Sequence, residues 1–345
     1  MDINSIRSQF PILSKKIKGK SLIYLDSSNS SQKPLSVINA LDNFYKNEFS
    51  NIGRSIHSLA VSATNKFEET RLTIKNYINA ESREEIIFTK NATEAINLVA
   101  SIFGQKNIEK GDEILISELE HHSNYVPWHY LRINKGAIIK FIPINDDGDI
   151  KIEKLNELIS PKTKIIAITH VSNVTGTIVP IKEIIEIARK KNIPVLVDGC
   201  QSTAHLKIDV RDLDCDFYAI SCHKVYGPTG VGILYEKKKW LEKLPPYIGG
   251  GGMINEVTKD NITFASLPEK YEAGTMPTAE VVAFNESIKF IQNIGIENII
   301  NHEKELTDYA LEKLKKINSL NIIGNPKNKI GVISFTIKGI HPHDI

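Results

Sequence analysis

The stretch "ISCHKVYGPTGVGILY" runs from Ile220 to Tyr235 and places Lys224 between two apolar runs. Most lysines are solvated surface residues. Here the apolar runs on either side are typical of buried strands, and a Gly-Pro-Thr-Gly turn separates them. A chain that leaves one core strand and re-enters the sheet in the next exposes little surface at the turn. A lysine held away from water there would lose its proton readily, and a neutral amine can form a Schiff base.

The rest of the chain alternates strand-like and helix-like segments, which predicts an α/β fold. The predicted strands are Glu85–Phe88, Glu113–Ile116, Ile138–Ile144, Lys164–Thr169, Val195–Val197, Phe217–Ile220 and Val231–Tyr235. The predicted helices between them are Thr93–Phe103, Tyr125–Lys135, Ile152–Ile159 and Ile181–Lys191. Strands such as "KIIAIT" and "VLVD" are apolar on both faces, as in a mostly parallel sheet covered by helices on each side. We expect the ligand site beyond the carboxyl ends of these strands.

The C-terminal part predicts the beginning of a smaller α+β domain. Its predicted elements are helices Val281–Asn293 and Asn301–Ile317 and strands Asn321–Ile323 and Val332–Ile337. We therefore expect a large domain at 26–280 and an incomplete small domain at 281–345, with the N-terminal segment 1–25 packed against the small domain.

Composition and charge narrow the class of protein. The 345 residues are 41% hydrophobic and 24% charged, which is ordinary for a globular protein. Lys and Arg number 43 against 41 for Asp and Glu, and the lysines are scattered, so neither nucleic acid nor a membrane surface is indicated. No signal peptide and no membrane span are predicted. The three cysteines lack metal spacing, which favours the reducing cytoplasm and predicts no metal site.

Several polar residues follow predicted strands, and each has an ordinary and a functional interpretation. Asp198 is a turn former or the partner of a buried cation. Thr93 is a plain helix cap, or it marks a helix N-terminus that binds phosphate. His121 and His122 lack the further ligands that zinc needs, so an imidazole stacked on a planar cofactor is the alternative. Asn173 fits a turn.

Taken together, these residues match the needs of pyridoxal phosphate. That cofactor requires a lysine for an imine, a carboxylate near the pyridine nitrogen, a phosphate site and a planar stacking partner. No single residue is specific, but the combination predicts an enzyme that uses pyridoxal phosphate.

Motifs along almost the whole chain resemble one known family. They are "FTKNATEAINLVA", "EHHSNYVPW", "HVSNVTGTIVPI", "VLVDGCQ", "LDCDFYAISCHKVYGPTGVGILY", "YEAGT" and "GVISFTIKGIHPHDI". In this order they are similar to the cysteine desulfurases of the class V aminotransferase fold, and most of all to the SUF-type group that includes selenocysteine lyases. The resemblance implies the fold type I, aspartate aminotransferase-like architecture, with a mostly parallel seven-stranded sheet that binds pyridoxal phosphate and a smaller α+β domain.

The resemblance also implies roles for individual residues. Lys224 would carry the cofactor, Asp198 would contact its ring nitrogen, and Gln201 its ring hydroxyl. His122 would stack on the ring and take part in catalysis, and Asn173 would lie beside the ring hydroxyl and the substrate carboxylate. The remaining implied contacts are to the phosphate (Thr93, Ser221, His223), to the phosphate of the other subunit of a homodimer (Thr275), and to the site entrance (Arg54, His57).

The implied reaction converts L-cysteine to L-alanine, with selenocysteine as a possible substrate. The sulfur would pass as an enzyme persulfide to a carrier protein that serves iron–sulfur cluster assembly. In the family, the nucleophilic cysteine and an arginine for the substrate carboxylate lie beyond the "HPHD" segment, so we expect a C-terminally truncated chain. Cys200 and Cys222 lie under the cofactor and cannot replace that cysteine. Cys215 is expected in the core.

Two alternatives remain open from the residues. One is another reaction on the same cofactor, such as that of an aminotransferase, an epimerase or a kynureninase-like lyase. The other is an inactive remnant that binds pyridoxal phosphate without turnover.

Overall fold

The computed structural model describes residues 2–53 and 55–345. The helices are α1 (Ile3–Ser8), α2 (Leu35–Asn43), α3 (Ser58–Tyr77), α4 (Ala92–Asn107), α5 (Val126–Lys135), α6 (Leu155–Leu158), α7 (Ile181–Arg189), α8 (Val210–Leu213), α9 (Lys238–Lys243), α10 (Thr278–Ile294) and α11 (Ile296–Leu314). The strands are β1 (Lys16–Ile17), β2 (Lys20–Ser21), β3 (Ile86–Thr89), β4 (Glu113–Ser117), β5 (Ile138–Ile142), β6 (Thr163–Thr169), β7 (Val195–Asp198), β8 (Phe217–Ser221), β9 (Gly232–Glu236), β10 (Ile254–Val257), β11 (Ile262–Phe264), β12 (Leu320–Ile323) and β13 (Ser334–Ile337).

The described residues form a central seven-stranded sheet in the order β3-β9-β8-β7-β6-β4-β5. Strands β4 to β8 pair in parallel, and β9 runs antiparallel to both of its neighbours, β8 and β3. The prediction of a mostly parallel seven-stranded sheet is therefore confirmed. Strands β3, β4, β7, β8 and β9 are buried along their whole length, which explains their continuous apolar sequence.

Helices cover the sheet on both faces. On one face, α7 turns Ile181, Ile184, Ile185 and Ala188 into the core, as its 3.6-residue periodicity predicts. On the other face, α4 is mostly buried and packs against β8 and β9. Each face has its own large apolar cluster, so the strand ends are held by a rigid scaffold.

Helix boundaries differ from the prediction in three places. The predicted helix Asn301–Ile317 begins earlier, at Ile296, because Gly295 has a positive φ of 86° and separates α10 from α11. The predicted helix Ile152–Ile159 is a 3₁₀ turn followed by the single turn α6. Helices α1 to α3, α8 and α9 were not predicted. Of these, α2 and α3 pack along α10.

Outside the central sheet, the described residues form antiparallel strand pairs. One pair joins β10 to β11, and another joins β12 to β13 near the C-terminus. In the described ranges, none of the helices combines the length and the apolar character needed to cross a bilayer.

Candidate active site

A cavity of about 210 Å³ lies where β6, β7 and β8 end. It is lined by Asn29, Ala92, Thr93, His121, Ser123, Thr169, Val171, Asn173, Asp198, Cys200, Gln201, Ser221, His223 and Lys224. Seven of the residues predicted for the cofactor site are in this set. Because parallel strands present their carboxyl ends at the same edge, residues far apart in the chain meet here, such as Thr93 and Lys224, which are 131 positions apart.

Lys224 ends a single 3₁₀ turn, Cys222–Lys224, that follows β8 directly. It is half-buried and lines the cavity. The chain returns to the sheet at Gly232, where a Cβ would lie 2.4 Å from the Cα of Asn91. Only glycine allows β9 to pass so close to the start of α4. The turn that carries Lys224 is therefore confined between the sheet and the beginning of that helix.

Asp198 is the last residue of β7 and is 3% exposed. Its Oδ1 accepts a hydrogen bond of 3.0 Å from the backbone N–H of Cys200, so it also forms the turn that the ordinary interpretation proposed. The backbone carbonyl of Asp198 accepts from the N–H of His170 at 2.9 Å, which ties β7 to β6. The carboxylate is held in the wall of the cavity by these backbone contacts.

The N-terminus of α4 faces the same cavity. Asn91, not Thr93, caps the helix, since its side-chain Oδ1 accepts from the N–H of Glu94 at 2.9 Å. Thr93 lies on the first turn with its side chain exposed to the cavity. The hydroxyl oxygen of Ser221 accepts from the N–H of Ala92 at 3.0 Å, which joins the end of β8 to this helix start. Free N–H groups and hydroxyls at a helix N-terminus suit an anion.

Two histidines follow β4, and the cavity is lined by His121 rather than by His122. His121 precedes the 3₁₀ turn His122–Asn124 and has an extended backbone, whereas His122 has turned into the helical segment. Burial lowers the pKa of His121, Asp198 opposes this shift, and Lys224 adds to it. Charges across the cavity therefore act on His121.

Glu120 holds this histidine loop in place, although no sequence motif identified it. Its carboxylate accepts hydrogen bonds from the N–H of Thr169 at 2.9 Å and from the amide of Asn124 at 2.6 Å. The hydroxyl of Ser117 donates a third bond of 2.5 Å. Burial raises the pKa of Glu120 to about 7. The loop is thereby fixed to the carboxyl ends of β4 and β6.

An N-terminal segment, residues 28–33, packs against the site and adds Asn29 to the lining of the cavity. The side-chain amide of Gln201 donates to the carbonyl of Ser28 at 2.6 Å. Ser31 and Lys33 donate to the carbonyl of His223 at 3.0 Å each. A local sequence signal for these contacts does not exist, since the partners are more than 170 positions apart.

Thr275 lies outside the Lys224 cavity, in a second cavity of about 480 Å³. Gly53 and Ser55 line this second cavity too, so the predicted entrance segment and Thr275 are brought together. His57 caps α3, its Nδ1 accepting from the N–H of Ala60 at 3.3 Å. Arg54 lies outside the described residues.

Comparison with known proteins agrees with this geometry. The sequence pattern of class-V aminotransferases matches residues 23–345. A probable cysteine desulfurase of Halalkalibacterium halodurans is 46% identical over the whole chain, which spans 85% of that protein. One of Staphylococcus epidermidis is also 46% identical, with 84% of its length covered.

Two solved structures have the same fold. The cysteine desulfurase CsdA of Escherichia coli, in an S-sulfonic acid form, matches with a TM-score of 0.92 and 34% identity over 100% of this chain and 84% of that one. The apo cysteine desulfurase of Thermococcus onnurineus matches with a TM-score of 0.94 and 34% identity over 99% and 84%. The chain therefore belongs to the class-V aminotransferase family and, within it, to the cysteine desulfurases, which are enzymes that use pyridoxal phosphate.

The side chains in the Lys224 cavity fit this cofactor. They offer an amine for the imine (Lys224), a buried carboxylate at the end of the neighbouring strand β7 (Asp198), and a helix start with hydroxyls for a phosphate (Thr93, Ser221). The imidazole of His121 completes the set that a planar, anionic cofactor requires.

Proposed function

We propose that this chain catalyses the conversion of L-cysteine to L-alanine with transfer of the sulfur to a thiol. Written in balance, L-cysteine and a thiol give L-alanine and the persulfide of that thiol. The observation that carries the proposal is the meeting of Lys224, Asp198 and the start of α4 in one cavity. Relatives named as probable cysteine desulfurases at 46% identity support the choice of substrate.

When bound, pyridoxal phosphate supplies a reactive carbonyl and an electron-withdrawing ring that acidifies the substrate α-carbon. In this proposal Lys224 would hold the cofactor through its amine and would move the proton at the substrate α-carbon. Asp198 would favour the protonated ring nitrogen, as a carboxylate close to a base does, and its place at the end of β7 in the cavity wall supports this role. Both groups line the same cavity.

The other cavity residues position the cofactor and the substrate. We assign the phosphate to Thr93, Ser221 and His223, because Ser221 already bonds the first turn of α4. In this assignment Gln201 contacts the ring hydroxyl, and Asn173 lies beside the ring hydroxyl and the substrate carboxylate. The stacking role expected of His122 passes to His121, which is the histidine that lines the cavity. His57 and Arg54 remain proposed entrance residues.

We further propose a homodimer in which Thr275 completes the cavity of the partner. Support comes from large apolar side chains left exposed on the single chain, with Leu25 at 91% and Ile56 at 94%. Ile56 adjoins Ser55, which lines the second cavity together with Thr275. In solution the wild-type chain should sediment as a dimer, and an Ile56→Asp variant should sediment as a monomer. Unchanged sedimentation of that variant would count against the interface.

The sulfur acceptor is not one of the three cysteines in this proposal. Burial raises the pKa of all three thiols, those of Cys200, Cys215 and Cys222, so little thiolate is available for attack. The persulfide then passes to a carrier protein for iron–sulfur cluster assembly. Selenocysteine is a second substrate to be tested.

Two organisational proposals accompany the activity. The first is the division into a large domain, 26–280, and a small domain, 281–345, with segment 1–25 against the latter. Contact between the rings of Phe10 and Phe290, whose centroids are 5.5 Å apart, supports the packing of the N-terminal segment on α10. The second is a location in the reducing cytoplasm, supported by three cysteines that are free thiols.

Borohydride labelling tests the assignment of Lys224. The purified protein with pyridoxal phosphate should be yellow, and reduction should fix the cofactor to the peptide that contains Lys224. With a small thiol added as sulfur acceptor, Lys224→Ala should release alanine from L-cysteine about 10²-fold or more slowly than wild type. Label on another lysine, or equal alanine release by the variant, would refute the proposal. A persulfide on Cys200, Cys215 or Cys222 would refute the exclusion of these thiols.

A further inference from the structure

Lys33 lies behind the Lys224 turn and has no role in the site described so far. Its Nζ donates to the carbonyl oxygen of His223 at 3.0 Å and also to that of Ser31. Burial lowers the pKa of Lys33 to about 8. Within residues 2–53 and 55–345, no carboxylate forms an ion pair with it. A half-buried ammonium with only carbonyl partners is unusual for a lysine.

The carbonyl oxygen of His223 collects an unusual number of donors. Besides Lys33, it accepts from the backbone N–H of Ser31 at 3.1 Å, from the Ser31 hydroxyl at 3.0 Å and from the Ser30 hydroxyl at 3.4 Å. A carbonyl oxygen has two lone pairs, so these four donors share them. This oxygen belongs to the peptide group that directly precedes Lys224. Its orientation therefore decides how the Lys224 backbone enters the cavity.

The same segment also holds the far side of the turn. The Ser31 hydroxyl oxygen accepts from the N–H of Tyr226 at 2.9 Å. Tyr226 has a positive φ of 59°, which is uncommon for a bulky residue and needs support from its surroundings. Ser31 and Lys33 together thus hold the backbone on both sides of Lys224.

The charge of Lys33 reaches the turn as well. Burial lowers the pKa of His223, and the charges of Lys224 and Lys33 lower it further. The other titratable groups that line the cavity beside the turn are Asp198 at the end of β7, Cys200 directly after it, and His121 after β4. Asp198 favours the protonated state of a nearby base, and Lys33 opposes it.

We infer that Lys33 is a positioning residue of the reaction: it fixes the peptide group before Lys224 and places a positive charge beside that turn. The inference rests on the proposed role of Lys224 as the cofactor lysine. Lys33 does not line the cavity, so it acts through His223 and Lys224 and not on the substrate.

The test compares Lys33→Met, Lys33→Arg and a matched control, Lys135→Met, in the enzyme loaded with pyridoxal phosphate. Lys135 is also half-buried, and its Nζ donates to the carbonyls of Gly104, Gln105 and Ile108, away from the cavity. The measurement is the absorbance of the bound cofactor as a function of pH. Loss of the positive charge in Lys33→Met should raise the titration midpoint by roughly half a pH unit or more. Lys33→Arg and Lys135→Met should titrate like wild type.

The outcomes separate this inference from the proposed function. If borohydride labels Lys224 but the midpoint of Lys33→Met equals that of wild type, the inference is wrong and the function stands. If the label lies on another lysine, the proposed function fails first. Should Lys33→Met not fold, Lys33→Gln replaces it, since glutamine keeps a donor without the charge. The same upward shift is expected of Lys33→Gln, and an unchanged midpoint would overturn the inference equally.

Discussion

The buried ion pair between Arg71 and Glu272 offers a quantitative test of how the loop of Thr275 is held. Arg71 is 1% exposed and binds Glu272 in a bidentate manner, with Nη1–Oε1 at 2.7 Å and Nη2–Oε2 at 2.9 Å. Its guanidinium lies over the rings of Phe67 and Phe88, 5.3 and 4.7 Å from their centroids. Glu272 also accepts from the N–H of Phe88 at 2.7 Å. The pair therefore joins α3, β3 and the loop that leads to Thr275.

Removing Glu272 and removing Arg71 should lower the free energy of unfolding by different amounts. Glu272→Leu leaves a buried guanidinium that cannot lose its proton, with the half-buried Glu68 as its remaining ion-pair partner and the Ile86 carbonyl as an acceptor at 2.6 Å. We expect a loss of about 3–5 kcal/mol in the free energy of unfolding. In the wild-type protein, burial raises the pKa of the Glu272 carboxylate and Arg71 opposes this rise. Arg71→Met removes the opposing effect. This carboxylate can take up a proton, so the cost should be smaller, about 1–3 kcal/mol, and should decrease as the pH is lowered.

Urea unfolding followed by tryptophan fluorescence measures these values at pH 7.5 and 6. The double variant Arg71→Met/Glu272→Leu should lose less stability than the sum of the single variants, because it leaves no unpaired buried charge. The reasoning is refuted if both single variants lose less than about 1 kcal/mol, or if their losses are additive. A larger loss in Arg71→Met than in Glu272→Leu would refute the asymmetry.

Three further predictions follow from single contacts. Burial lowers the pKa of His170 to about 4, so below pH 6.5 the unfolded chain binds a proton that the folded chain does not, and stability falls as the pH drops. When the pH is lowered from 7.5 to 5, the free energy of unfolding measured with urea should decrease by about 2 kcal/mol more in wild type than in His170→Gln. Equal decreases would contradict this. Gly232→Ala should lower the thermal unfolding midpoint strongly, because the new Cβ would lie 2.4 Å from the Asn91 backbone. In the control Gly250→Ala, the atom nearest to the new Cβ is 3.8 Å away. Equal midpoints for the two variants would exclude the clash. Iodoacetamide should modify Cys215 and Cys222 only after unfolding, and mass spectrometry of the native protein showing rapid modification of either thiol would contradict their burial.

Much of the sheet and part of the site were predictable from local sequence. Continuous apolar runs that end in polar residues indicated buried parallel strands, and the strand ends placed Asp198, Ser221 and Lys224 at one edge. The helical periodicity of α7 predicted its buried face correctly. These predictions succeed because backbone periodicity and side-chain polarity are properties of neighbouring residues.

Other features depended on which of two neighbouring residues faced the cavity. The sequence "HH" does not distinguish His121 from His122; the 3₁₀ turn that begins at His122 does. Likewise, Asn91 and Thr93 both suit a helix start, and only the observed boundary shows that Asn91 is the cap. In both cases a shift of one or two residues along a turn changes the direction of the side chain.

Long-range partners were determined by the tertiary structure alone. Lys33 and the His223 carbonyl are 190 positions apart, and Arg71 and Glu272 are 201 apart. The local sequence around Lys33 and around Arg71 does not indicate a buried partner, because the burial of both side chains results from folding. The sequence by itself determined the strands, the site edge and the residues able to bind the cofactor. The folded chain decided which buried cations support that edge, since charge is stabilised in the interior only where distant segments supply oxygen acceptors.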